Sequence, residues 1–142
     1  MVDRQPSSTI SLPLAVAIGA LAAEGFDRIS HLALNLVSDL YFLTQGVRWD
    51  FPPPLFDSEP IDEILFAACG VIGAFFGGYV AARLRPSASL SSAAWAGGFV
   101  AVIGLAALWH NSLWMHWNLW IRVVLAMPSA LAGGAFGREG KA

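Results

Sequence analysis

The segment EGFDRISH, residues 24–31, holds four titratable side chains: Glu24, Asp27, Arg28 and His31. Glu24–Arg28 and Asp27–His31 are both i,i+4 pairs. On a helix each carboxylate then lies beside a cation or an imidazole, and the cluster can neutralise itself. A carboxylate next to an imidazole is also the core of a proton relay. His31 with His110 or His116 could instead ligate haem iron or another metal, since imidazole suits iron, copper and zinc. A fifth candidate, Arg122, could pair with Glu24 and lock two helices. The cluster is flanked by LPLAVAIGALAA on one side and LALNLVSDLYFL on the other. Ionisable groups in such surroundings are costly, which makes them the first place to look for function.

The whole chain explains those flanks. Of 142 residues, 56% are hydrophobic and 13% charged, and the mean hydropathy is +0.61. A soluble domain carries about 25% charged residues, so the medium expected here is a lipid bilayer. A net charge of −2 offers no basic surface for nucleic acid. The single cysteine, Cys69, excludes an intramolecular disulfide and a C-x-x-C site, and is expected to be a small packing residue.

A helix rises 1.5 Å per residue and the hydrocarbon is about 30 Å thick, so a crossing takes about 20 apolar residues. Residues 61–82, 90–109 and 119–136 meet this requirement. The segment from Ile10 is weaker, because its uncharged part stops at Ala23. Counted as a crossing, it gives an even number and puts both termini on one side. The expectation is one all-α integral membrane domain over 1–142, a bundle of four transmembrane helices. The crossings fall at about 10–27, 60–83, 88–109 and 117–137, with an amphipathic interfacial helix at about 28–43 and an outer loop at 44–59. Asp3 beside Arg4 leaves the first helix without the positive flank of a signal peptide, so it is expected to be retained.

Local signals mark the ends. Pro13 suits a first helical turn. Ser58 is a candidate N-cap for the second helix, with Asp62 and Glu63 near its positive end. Arg83, Arg85 and Pro86 close that helix, and Pro128 should kink the fourth. Arg4, Arg83, Arg85, Arg138 and Lys141 fall on one side, against Arg28, Arg48 and Arg122 on the other. This bias places both termini in the cytoplasm. The helix exit GGYVAARLRP resembles those of small bacterial four-helix membrane proteins, which would imply a bacterial inner membrane.

If the first helix enters hydrocarbon at Ile10, Glu24 lies about 21 Å in, Asp27 about 26 Å and His31 about 32 Å. Glu24, Asp27, Arg28, His31, Asn35, Ser38 and Asp39 then form a polar stripe beside an apolar one of Ile29, Leu32, Leu36, Leu40 and Leu43. The crossing helix is expected to continue or bend into the amphipathic one on the outer surface, with Gly25 as the candidate bend point. The polar cluster is expected to be a self-paired helix exit at the interface. The functional alternative brings it together with Asp62, Glu63, His110 and Arg122 at one end of the bundle.

Two further patterns bear on partners. Trp109, Trp114, Trp117 and Trp120 surround His110 and His116 between the third and fourth helices. Tryptophan favours the headgroup level, so these residues read as an interfacial belt, or else as a flat surface for a partner subunit, pigment or quinone. Trp49, Phe51 and Phe56 flank a proline triplet expected to lie on the membrane surface. Small residues also recur every four positions: Ala15, Gly19 and Ala23; Cys69, Gly73, Gly77 and Ala81; Ala93, Gly97 and Ala101; Ala126, Ala130 and Gly134. Such rows let helices approach closely in lipid.

Walker, HExxH and G-x-S-x-G motifs are absent, and no internal repeat supports an inverted-repeat transporter. The leading expectation is a non-enzymatic accessory or structural subunit of a larger membrane complex, or a homo-oligomer, with no cofactor. Its partners would be the bilayer and other membrane subunits or further copies of itself. The alternatives are a small ion, proton or solute transporter using the polar cluster, and a haem- or pigment-binding protein.

Overall fold

A computed structural model describes residues 10–45, 59–110 and 117–139. Trp49, Phe51, Phe56, Ser58, Trp114 and His116 lie outside the described residues. The chain forms α1 (Leu12–Gln45), α2 (Glu59–Leu84), a 3₁₀ turn (Pro86–Ala88), α3 (Ser89–His110) and α4 (Trp117–Glu139). Among the described residues there is no strand.

Three helices are long and apolar enough to cross a membrane: Glu63–Leu84, Pro86–His110 and Trp117–Arg138. α1 is not among them. Glu24, Asp27 and Arg28 interrupt its apolar run, so a fourth span is not shown. Of the two expected forms, a helix that continues or one that bends, α1 takes the first: all 34 residues form one continuous helix through Gly25. Nothing forces a turn there: a Cβ added to Gly25 would meet no atom within 4 Å. α4 likewise runs on through Pro128.

The buried set is made of small residues. Among the described residues, alanine supplies every buried hydrophobic side chain except Leu108. Large apolar groups such as Ile72, Phe76, Trp95, Phe99, Val124 and Phe136 are exposed instead. A water-soluble bundle buries its large apolar side chains. Here burial selects for close backbone approach, the packing that operates in lipid.

Glycine contacts give the directions of the helices. On α1 and α2, Gly19 meets Gly77 and Ala81 while Ala23 meets Gly73, so the two run antiparallel. On α2 and α4, Gly70 meets Arg122, Gly78 meets Ala130 and Ala82 meets Gly134, so numbers rise together and the pair is parallel. On α3 and α4, Gly97 meets Ala130 and Ala93 meets Gly134, again antiparallel. The bundle is up-down-up-down. α2 and α3 touch each other and both remaining helices, but α1 and α4 do not pack against each other. The cross-section is therefore a rhombus, with α2 and α3 on the short diagonal and α1 and α4 at the far corners.

α2 can serve two neighbours because it carries two small rows, not one. Gly73, Gly77 and Ala81 face α1. One position on, Gly70, Gly78 and Ala82 face α4, with buried Ala74 between them. A Cβ at Gly78 would fall on the Ala130 backbone, which cannot move aside as a flexible side chain would.

Gly78→Ala should therefore lower stability by about 1–3 kcal/mol through overpacking. Gly25→Ala, in open space within the longest helix, should raise it by about 0.5–1 kcal/mol through helix propensity. Reversible unfolding in mixed micelles measures both, and equal effects would contradict this packing.

Candidate functional site

The site begins where the small face of α1 turns polar. Ala15, Gly19, Ala23 and Asp27 are four apart and all buried. Asp27 thus continues the packing row into the bundle, whereas Glu24 stands one position off that row and is only half-buried. Asp27 is 6% exposed and is one of the few buried polar residues, the others being Ser89 and Ser92. No described residue of α1 beyond it is buried.

Asp27 reaches the far corner of the rhombus. Arg122 of α4 donates from Nη2 to Asp27 Oδ2 at 2.5 Å. α1 and α4 do not pack together, so the guanidinium must bridge them, and Gly70 makes the space. A Cβ on Gly70 would coincide with the Arg122 Nε, Cδ and Cζ atoms. The absent side chain on α2 is thus the notch through which Arg122 passes. Of the pairings open to Arg122, the one with Glu24 gives way to Arg122–Asp27, because Asp27 is the carboxylate on the inward row.

The other oxygen of Asp27 is used differently. Oδ1 stands 3.6 Å from His31 Nε2, one helical turn on. That separation exceeds a hydrogen bond, and both atoms are buried with no hydrogen-bond partner. His31 is held in place by Phe66 of α2, whose ring it meets edge-on at 4.7 Å between centroids. The expected Glu24–Arg28 ion pair does not form: among the described residues the carboxylate–guanidinium pair is Asp27–Arg122, with the His31 imidazole beside the same carboxylate.

These groups border a cavity of about 340 Å³. α1 contributes Glu24, Asp27, Arg28 and His31, and α4 contributes Arg122. α3 gives only apolar or small residues, Val100, Ile103, Gly104 and Ala107. The cavity lies beside the middle of α1, in the carboxyl half of α3 and the amino halves of α2 and α4. Gly70, Gly104 and Arg122 are about 7–11 Å inside the ends of the three apolar helices. Arg83, Arg85 and Arg138 stand at the opposite end, where Arg83 donates from Nε to the Tyr79 hydroxyl at 3.1 Å.

The remaining sequence candidates divide. His110 ends α3 exposed and does not border the cavity. Trp109 and Trp117 point outward, at 75% and 43% exposed, and Trp120 is half-buried. Among the described residues no three His, Cys, Asp or Glu side chains converge as a metal site requires. Gly19, Gly73, Gly77, Gly97 and Gly134 all sit at helix–helix contacts. Sequence reasoning missed Gly70, Phe66 and the second row of α2. That row, 70-74-78-82, was open to the same four-residue count that found its neighbour.

Comparison with protein-family models, with curated proteins and with solved structures finds no match to this chain.

The pair is open to test by substitution. Asp27→Asn and Arg122→Gln should each cost about 3–5 kcal/mol, because each leaves a buried partner charge uncompensated. Gly70→Val should cost about as much by blocking the notch, without touching either charge. Unfolding midpoints in mixed micelles check all three, and a neutral Gly70→Val would exclude the bridge across α2.

Proposed function

We propose that this chain is a non-enzymatic accessory or structural subunit of a membrane assembly, joined to another membrane subunit or to a second copy of itself. The observation that carries this reading is the outer half of α1. Ile29, Leu32, Leu36, Leu40 and Leu43 form a continuous apolar stripe and are 69%, 70%, 57%, 52% and 63% exposed. This half runs about 27 Å past Asp27, where α2 has about 16 Å left and α3 and α4 less than about 10 Å. An apolar stripe that leaves its own bundle is suited to packing on something else.

In this reading α1 is the fourth crossing. Its first half enters hydrocarbon with Ala15, Gly19 and Ala23 against α2, the GxxxG of Gly73 and Gly77 supplying the matching groove. Neutralisation of Asp27 by Arg122 lowers the cost of placing α1 there. The arginine bias supports a bacterial inner membrane with both termini in the cytoplasm.

The cavity favours a second reading, a small ion, proton or solute transporter working through Glu24, Asp27 and His31. Proteoliposome flux separates the two. Transport should be lost in Glu24→Gln and Asp27→Asn if the second reading holds, and no flux should be seen if the first does.

The first reading makes its own prediction. Leu32→Glu and Leu36→Glu should shift the purified protein to a smaller assembly, or release its copurifying subunit, with little change in monomer unfolding. Light scattering in mild detergent and mass spectrometry of the eluate report this. A wild-type chain that is a stable monomer with no companion would refute it.

A further inference from the structure

We infer that the cavity between α1, α3 and α4 binds a zwitterion, a molecule carrying a primary ammonium beside an anionic group. The charge inventory comes first. Glu24, Asp27, Arg28 and Arg122 border the cavity, two carboxylates and two guanidiniums, so the formal sum is zero with His31 neutral. A ligand of net charge would bring one unpaired charge into a partly apolar space, where charge is expensive. A zwitterion brings none.

The hydrogen-bonding inventory sets its polarity. Asp27 Oδ2 is taken by Arg122, but Oδ1 has no partner although its side chain is only 8% exposed. His31 Nε2 is also buried without a partner. The two atoms are 3.6 Å apart, close enough for both to accept from one nitrogen. His31 accepts there in the tautomer that carries its proton on Nδ1. Glu24 lines the same space and makes no ion pair with Arg28. A primary ammonium has three N–H donors and no acceptor, which matches Asp27 Oδ1, His31 Nε2 and Glu24. Arg28 remains for the anionic group, since a guanidinium binds carboxylate or phosphate through two parallel hydrogen bonds. Val100, Ile103 and Ala107 of α3 leave room for hydrocarbon. The volume of about 340 Å³ is at the small end for ligand pockets.

Two sources present this chemistry: the headgroup of an ethanolamine phospholipid and a free amino acid. The test uses the full chain purified in detergent, with the unfolding midpoint read during titration. The probes are phosphatidylethanolamine, phosphatidylcholine, phosphatidylglycerol and free leucine. Phosphatidylcholine keeps the zwitterion but has no N–H, and phosphatidylglycerol keeps the anion but has no ammonium. The expected result is a saturable rise with phosphatidylethanolamine or with leucine, and none with the other two lipids. A response to the first assigns the site to lipid; a response to leucine assigns it to a soluble zwitterion. Glu24→Gln and Arg28→Gln should each weaken the response by roughly tenfold or more. Both side chains lie outside the Asp27–Arg122 pair, so folding does not depend on them. Equal stabilisation by ethanolamine and choline lipids with no response to leucine would overturn the proposal. So would a response that survives both substitutions, or no response to any probe.

Discussion

One ion pair closes the long diagonal of this bundle. Small residues hold α1 and α4 against α2 and α3, but α1 and α4 do not pack against each other. The Asp27–Arg122 ion pair reaches from one to the other. It depends on three helices at once: a carboxylate at the end of the inward row of α1, a guanidinium one turn into α4, and a missing side chain at Gly70 of α2. The desolvation of two charges is offset only when geometry is good and each charge is met. Here one carboxylate oxygen is met and the other is buried without a hydrogen-bond partner. The same residue therefore ends the packed part of α1 and begins the part with chemistry.

The bundle can support such a pair because its packing is otherwise uniform. Alanine and glycine rows bring backbones together and leave the large apolar side chains outside. Attraction then comes from many short van der Waals contacts and not from the expulsion of water. A close-packed interior of this kind has little room to absorb an added atom, so glycines at crossings are constrained by carbonyls on the facing helix. Where the rows end, at Asp27 on α1 and at Gly70 on α2, the cavity opens. Beyond that level α1 runs on with its leucines uncovered by the other described helices.

Much of this was legible in the residues. Apolar runs of sufficient length specify α2, α3 and α4, and the four-residue recurrence of small residues marks their contacts. The polar cluster was found, but its organisation was not. Grouping Glu24, Asp27, Arg28 and His31 as one stripe obscured the fact that Asp27 alone extends the row of Ala15, Gly19 and Ala23. Polarity separated residues that helical geometry puts in line. The three- and four-residue spacing of the polar stripe already carried the helix past the change in hydropathy after Ala23, and α1 runs on through Gly25. Backbone hydrogen bonds do not register that change. Gly70 could not be singled out among so many glycines, because its role exists only when Arg122 of another helix lies across it.

The claim that this contact joins α1 to α4 is tested most directly by a double-mutant cycle between positions 27 and 122. Wild type, Asp27→Asn, Arg122→Gln and the double variant would be unfolded reversibly in bilayers of one composition. The account predicts a favourable coupling above about 1.5 kcal/mol, the range of contacting residues in one network, with the double variant more stable than the sum of the singles implies. Additivity within about 0.5 kcal/mol, as for distant independent sites, would contradict it.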